Sequence, residues 1–500
     1  MVQRDTAGGR RNGTAPGAER PRIWVIHPTL SFTVLGIVQI TLIAAMTVIA
    51  VALPAIQRDL GLSASSLALV TNAYAVSFCG LLMLGGRLGD LFGLRPALAI
   101  GMCIFGVASL ANAAATTFAV MLAARFSQGV GAALAAPAAM ALVGVVFQEP
   151  TRRTKAIAIW GGFPVVGATL GILVSGFVAN WISWRWAFVV PAVVVAVVLG
   201  VMRHVVPPGP APIRTKLDIP GAVLVTLGLF ATCYGLVGAG ERGWLSAATF
   251  VPLGCGIALL ASFILVEARA RSPLVPLSFF GSRRRLVGLL GVMLASSGTF
   301  TTTFFLPLYF QQVQDHSPVA TSLAFLPYGV AMFATGLFAG RLAVRLGPRT
   351  MLATGFAVGA AGLWLIGHLH ADSPYAGLLL AGLVVFPVGA ALIFSAATAA
   401  AMENVEEGER GLAGGVLNTS MEGGPTIGLA VLVSVAGAQT AWLASRGVAL
   451  PSATAEGYGF AFSSAAVVYV VAALLAFLAL KRRRSAEANL SDPNSPRNIR

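Results

Sequence analysis

The feature that most constrains this chain is a recurrence of apolar runs, each long enough to cross a bilayer, along almost its whole length. Fourteen fall at 31–54, 66–86, 97–117, 119–146, 156–178, 186–206, 219–239, 247–268, 286–311, 319–340, 350–369, 375–399, 411–437 and 459–480. A spanning helix needs about 20 mostly apolar residues. Hydrocarbon offers a backbone no hydrogen-bond partner, so each run must satisfy its own amides as a helix. The runs are too long and continuous for membrane β-strands. Composition agrees: 57% of residues are hydrophobic and 10% charged, against roughly 25% charge in a soluble chain. The expected fold class is an all-α polytopic membrane protein with 14 transmembrane helices.

The net charge of +15 invites a nucleic-acid reading, but its placement argues for no nucleic-acid partner. With the amino terminus inside, 28 of the 33 Lys and Arg fall in the tails and even-numbered loops. Only Arg58, Arg185, Arg242 and Arg446 lie in the opposite loops, and Arg125 lies within the membrane. This positive-inside bias predicts a multi-pass protein of the inner or plasma membrane with both termini cytoplasmic. Membrane lipid is an expected partner, with Lys481-Arg482-Arg483-Arg484 anchoring the last helix against anionic headgroups. Residues 1–28 are polar and Arg/Gly-rich and are expected to be disordered. The first apolar run is too long for a cleaved signal segment and reads as retained. Cys79, Cys103, Cys233 and Cys255 fall inside apolar runs without metal spacing and read as small packing residues.

An internal repeat organises the chain. Gly86-Arg87-Leu88-Gly89-Asp90-Leu91-Phe92-Gly93-Leu94-Arg95 ends the second run, and Gly340-Arg341-Leu342-Ala343-Val344-Arg345-Leu346-Gly347-Pro348-Arg349 ends the tenth. Gly, Arg, Leu, Gly and Arg coincide at five of ten positions. The Pro-rich, basic stretch Val205 to Lys216 separates six runs from the eight that follow. The repeat therefore predicts a 6+2+6 arrangement: a tail (1–28), a six-helix bundle (29–206), a linker with two inserted helices (207–284), a second bundle (285–480) and a basic tail (481–500). Duplicated halves are a transporter architecture; chance likeness between Gly/Arg/Leu-rich helix ends is the alternative.

These segments resemble the major facilitator superfamily, specifically its fourteen-helix drug:proton antiporter family, over residues 30–480. Gly86, Asp90, Gly93 and Arg95 are similar to its loop 2–3 motif, which the resemblance makes a latch for the outward-open state. Leu91 stands where a basic residue is usual, and Val344 where the second copy would carry an acid. The fourth run holds Arg125-Phe-Ser-Gln128-Gly129-Val-Gly131, like the family's Arg…Gln-Gly pattern, and the resemblance implies a role for Arg125 in proton coupling. A mid-membrane arginine normally faces a cavity or a partner; the alternative is that Arg125 snorkels or only ties helices together. In the fifth run Gly167, Gly171, Ser175 and Gly176 stand where the antiporter motif lies, with Ile172 in place of its Pro. Small residues at this spacing let helices pack closely. Trp181-Ile-Ser-Trp184-Arg185-Trp186 looks like the family's outer Trp-Arg-Trp element and reads more generally as an interfacial aromatic belt. Asp218-Ile219-Pro220-Gly221, Leu308 to Gln312 and Gly411 to Asn418 add weaker matches in the family's order.

The first run departs from the family. Ala45 stands at the position of a membrane Asp and Ala50 at that of an Asn, ahead of Val51-Ala52-Leu53-Pro54. A proton-coupled exchanger still needs a group whose protonation responds to desolvation and partners. Glu422, in Asn418-Thr-Ser-Met-Glu422-Gly-Gly-Pro425 near the middle of the thirteenth run, is the candidate for binding a proton or a cationic substrate group. The alternative is a hydrogen-bonded structural acid or one nearer the cytoplasmic face. Expected cavity-lining residues are Asn72, Tyr74, Gln128, Met293, Phe300, Phe304 and Asn418.

Lys155, Lys216 and Lys481 are the only lysines and none sits in a P-loop. No His-Glu-x-x-His or Gly-x-Ser-x-Gly occurs either, so neither ATP drive nor an enzyme is expected, and no cofactor or metal. The expectation is a monomeric secondary transporter exporting a small amphipathic or cationic drug-like molecule against protons. The competing expectation is a carrier of an endogenous metabolite without proton coupling. A polytopic enzyme or receptor is remote.

Overall fold

A computed structural model describes residues 28–160, 162–209, 218–269, 277–403, 405 and 410–479. The expectations for the amino-terminal tail, the linker beyond 209 and the basic tail lie outside the described residues. Helix follows helix: α1 (Pro28–Leu60), α2 (Ala64–Phe92), α3 (Leu94–Ala113), α4 (Phe118–Val146), α5 (Pro150–Trp160), α6 (Phe163–Trp181) and α7 (Trp186–Val205) come first. Then come α8 (Ile219–Arg242), α9 (Ala247–Arg269), α10 (Arg283–Gln312), α11 (Pro318–Ala324), α12 (Leu326–Ile366), α13 (Leu380–Ala401), α14 (Arg410–Ser445) and α15 (Leu450–Ala479).

Among the described residues thirteen segments are long and apolar enough to cross a bilayer, and the shorter apolar α6, continued by α5, accounts for the remaining expected span. The break between α5 and α6 was not expected; Pro164 lies in the first turn of α6, where its missing N–H restarts the helix without loss. Other helices start on side-chain caps. Ser63, Thr117, Asp218, Ser282 and Ser317 each accept a backbone N–H three residues on.

Both copies of the repeat adopt one rare backbone conformation at the same place. Gly93, between α2 and α3, has φ 95° and ψ 144°; Gly347, which interrupts α12, has φ 74° and ψ 158°. A side chain at either φ would be strained. Two residues on, Arg95 donates from Nη2 to the carbonyl of Arg203 at the end of α7. Arg349 donates from Nε to the carbonyl of Phe477 at the end of α15, at 2.7 Å. Ten residues of sequence likeness are thus matched in dihedral angle and in hydrogen bonding.

Helices α1–α7 pack mainly among themselves, as do α10–α15, while α8 lies against both α2 and α14 and α9 lies against α8. Thr226 of α8 occupies the space a side chain at Gly80 would need, and Cys233 Sγ donates to the Thr426 carbonyl at 3.2 Å. Cys79 and Cys233 are buried, whereas Cys103 and Cys255 are exposed on the outer faces of α3 and α9.

Two hydrophobic cores divide the molecule along the helix axes. One is made of the start of α1, the second half of α2, the start of α3, and the ends of α4 and α7. The other joins the opposite ends of α1 and α2 to the interior of α10–α15. Hydrogen bonds reinforce that joined end: Gln311 Nε2 donates to the Val51 carbonyl at 2.9 Å, and Gln312 Nε2 to Gln57 Oε1 at 2.7 Å. Ser322 Oγ donates to the Ile172 carbonyl at 3.0 Å. The helix sets are therefore fused at the end where α1 and α10 finish.

At that end Asp59 accepts from Trp184 Nε1 at 3.1 Å and from Arg185 Nη1 at 2.6 Å, and Arg185 Nη2 donates to the Ala115 carbonyl. The Trp-Arg-Trp element therefore ties the end of α1 to two turns. Trp184 is 5% exposed and belongs to this tie, while Trp181, at 71%, and Trp186, at 45%, are placed as interfacial belt residues.

Candidate functional site

Arg125 is the largest fully buried side chain of the described residues. Helix α4 carries it inward because Gly129, one turn on, lies flush against the Tyr74 and Ser77 region of α2, where a methyl would overlap the Tyr74 carbonyl oxygen. Its Nη1 donates to the Ala45 carbonyl at 3.1 Å and to Gln128 Oε1 at 2.8 Å. The guanidinium lies over the Tyr74 ring, 4.9 Å from its centre, and Tyr74 itself donates to the Leu42 carbonyl at 3.1 Å. Gln128 Nε2 donates in turn to Ser109 Oγ at 2.8 Å, and Asn112 Nδ2 reaches Gln128 Oε1 at 3.4 Å. Ser109 and Asn112 were not among the expected site residues, although polar side chains inside the third apolar run were a legible signal.

The network contains one charge and no carboxylate. Asp59, Asp90 and Glu149 are the only acids between residues 28 and 209. Asp59 is paired with Arg185, Glu149 with Arg152, and Asp90 is exposed at the end of α2. The Arg125 Nε and Nη2 groups have no acceptor among the described residues. Where the family pattern has a carboxylate at position 45, the guanidinium meets only the Ala45 main chain. A buried N–H left without a partner costs about 1–3 kcal/mol, so this site carries its charge at an energetic disadvantage.

Glu422 stands on α14, in the helix set opposite Arg125. Gly423 lies 3.5 Å from Cys79 Sγ of α2 through its would-be Cβ, and Gly424 sits flush on the Met293 carbonyl of α10. Glu422 is thereby held at the seam between the two sets, partly exposed; its main-chain carbonyl accepts from Thr426 Oγ1, and its carboxylate has no hydrogen bond among the described residues.

The other expected lining residues separate into groups. Tyr74 and Gln128 belong to the Arg125 network and are fully buried. Asn72, two positions before Tyr74 and so on nearly the opposite side of α2, is buried with neither amide atom paired among the described residues. Phe304 is buried and packs edge-on against Phe305. Phe300 touches both hydrophobic cores, which places it at the seam; Met293 is partly exposed and Asn418 exposed.

The small residues of α6 have unequal jobs. A methyl at Gly167 would fall 2.8 Å from the Ile40 carbonyl, and one at Gly171 2.6 Å from that of Ala44, so both set α6 directly on α1. Thr47 Oγ1 adds a bond to the Ala168 carbonyl at 3.1 Å. Gly176 faces the other way, onto Pro318 and Ser322 of α11, while Ser175 Oγ is buried without a partner among the described residues. In the loop 2–3 segment, close approach falls on Gly85 rather than Gly86. A methyl at Gly85 would overlap the Ala133 carbonyl of α4, whereas one at Gly86 would lie 3.8 Å from Pro137, an ordinary contact. Gly85→Ala is expected to destabilise the fold by about 1–3 kcal/mol and Gly86→Ala by less than about 0.5 kcal/mol. Equal thermal midpoints for the two variants in detergent would contradict this packing.

The chain matches the Major Facilitator Superfamily over residues 35–429 and again over 316–498. It is 37% identical over 460 residues to the puromycin resistance protein of Streptomyces alboniger, covering 90% of each chain. It is 36% identical over 433 residues to the cephamycin export protein of Amycolatopsis lactamdurans, covering 86% of this chain and 88% of the other. Among solved structures, a bacterial homolog of the human lysosomal transporter Spinster superposes with a TM-score of 0.66 at 16% identity, covering 90% of this chain and 96% of that one. The chain is thus a member of the Major Facilitator Superfamily, a non-enzymatic multi-pass membrane transporter whose kin are drug and antibiotic exporters.

Proposed function

We propose that this protein is a proton-coupled exporter of hydrophobic or cationic drug-like compounds, antibiotics included. It acts as a monomer in the plasma membrane, in contact with lipid, with both termini cytoplasmic. In this reading residues 29–206 and 285–480 are two six-helix bundles that rock about a central pocket, with two helices inserted between them (207–284). The matched conformations of Gly93 and Gly347 support the duplication. Gly86, Asp90, Gly93 and Arg95 form the latch between α2 and α3. Met293, Phe300 and Asn418 offer the substrate an apolar wall with a sparse polar anchor, as suits amphipathic compounds.

The observation that carries the reading is a pair of unmatched groups, one in each helix set. Buried Arg125 has no carboxylate partner among the described residues, and Glu422, partly exposed at the seam, has no side-chain hydrogen bond among them. Glu422 is the group that takes up either the proton or the cationic substrate, one excluding the other. Arg125 is the fixed positive charge that favours proton loss when rocking brings the sets together. One charge crossing 100 mV is worth about 2.3 kcal/mol and one pH unit about 1.4, together a few-hundred-fold accumulation per proton. A susceptibility panel in an efflux-deficient host tests this directly. Expression is expected to protect against amphipathic cationic antibiotics, and an uncoupler to abolish the protection; protection that survives the uncoupler rejects proton coupling.

A second reading, export of a self-made metabolite without proton coupling, is favoured by Ala45 at the usual acid position. It predicts no protection anywhere on the panel.

A further inference from the structure

A hollow of about 370 Å³ lies between the start of α3 and the end of α7, on the outer face of the helix set. Its floor is apolar, built from Pro96, Ala99, Leu199 and Met202, and its rim carries Arg95 and Arg203. Helix α3 begins and α7 ends here, so the rim sits at the level where a spanning helix meets lipid headgroups. Below it the exposed side chains of Ile100 on α3 and of Val197 and Val201 on α7 continue an apolar surface toward the middle of the membrane. Arg95 is held across the hollow by its bond to the Arg203 carbonyl, and the Arg203 guanidinium is exposed, with Nε against His204. Neither arginine has an ion pair among the described residues. Two like charges on the rim of one apolar floor call for an anion with a hydrocarbon body, which free phosphate lacks.

The repeat supplies an internal comparison. Arg349 occupies the place of Arg95 in the second copy and makes the equivalent bond to the end of α15. There the aromatic ring of Phe477 lies beneath the guanidinium, 4.0 Å from it, so the corresponding space is filled by the protein's own side chain. In the first copy the residue whose carbonyl accepts is Arg203, whose side chain is exposed and bonded to His204. One half closes the position with an aromatic ring; the other leaves it open and adds a second positive charge.

We propose that this hollow binds one anionic phospholipid of the adjoining leaflet, its phosphate between Arg95 and Arg203 and one acyl chain along α3 and α7. The lipid would join α3, which follows Gly93, to α7, beside the latch segment. The test uses the full-length protein in detergent, titrated with phosphatidylglycerol or with phosphatidylcholine, the bound lipids being counted by native mass spectrometry. Wild type is expected to retain one phosphatidylglycerol more tightly than any phosphatidylcholine. Arg203→Gln is expected to weaken that lipid about fivefold, the loss of one basic contact near the surface, and Arg203→Phe, which copies the second half, to abolish tight binding. Arg349→Gln should bind as wild type does. Unchanged phosphatidylglycerol affinity in both Arg203 variants overturns the proposal. So does an equal weakening by Arg349→Gln, which would mean general surface charge rather than a site.

Discussion

Arg125→Gln is expected to reduce uphill export to downhill leakage while leaving the protein at least as stable as before. The two halves of that expectation come from the same geometry. Arg125 is buried with Nε and Nη2 unmatched, and among the described residues its only acceptors are one main-chain carbonyl and Gln128. An arginine at mid-membrane costs about 3 kcal/mol on insertion scales, and no carboxylate between residues 28 and 209 is placed to offset it. Glutamine keeps a donor for Gln128 and removes the charge, so the thermal midpoint should hold or rise. On the proposed coupling, transport should fail, because the charge assigned to favour proton release is gone. In vesicles with an imposed proton gradient, the accumulation ratio should fall from up to a few hundred to about one. Arg125→Lys separates charge from hydrogen bonding: it keeps the charge without the planar fork, and should retain part of the gradient. A merely structural arginine would show the reverse pattern, with lost stability and accumulation intact in whatever folds.

How far this site could be read in advance depended on what lipid does to sequence patterns. Crossing a membrane requires apolar residues on every side of a helix, so no polar face remains to show which way it turns. Helix number and order, the repeat and Arg125 were legible because they are statements about run length, identity and cost. The facing of α2 was not. Tyr74 and Asn72 were both expected to line one cavity, yet Tyr74 lies under Arg125 and Asn72 projects from nearly the opposite side of the helix. Gly85 and Gly86 posed the same difficulty: adjacent glycines are equivalent on paper, and only the position of Ala133 on α4 decides which is required. Gln128 was readable as polar but not as the hub joining Arg125 to Ser109, since that needs α3 and α4 in register. The placement of α8 on the seam between α2 and α14 also left no mark in an almost uniformly apolar segment.

Glu422→Gln carries the second large expectation, and it separates coupling from binding. Helix α14 is wedged between α2 and α10 by glycines: Gly415 lies against Met83, Gly424 against the Met293 carbonyl and Gly428 against Ser297. These contacts fix Glu422 at the seam whatever its side chain does, so glutamine, nearly the same in shape, should leave the fold intact. What it removes is the titratable carboxyl to which the proposal assigns the proton. Export driven by an inward pH gradient should lose its pH dependence and its accumulation, again from a few-hundred-fold toward unity. Exchange of labelled for unlabelled substrate across vesicles without a gradient should continue for a neutral amphipathic compound. For a cationic compound it should weaken about tenfold or more, in line with the roughly 1.5–3 kcal/mol of a hydrogen bond to a charged group. Glu422→Asp retains a titratable group on the same helix and should preserve a pH response at reduced rate. If Glu422→Gln exports a neutral compound against its gradient with the pH profile of the wild type, the proton travels on another residue. Arg125 would then have to be explained without an acid opposite it.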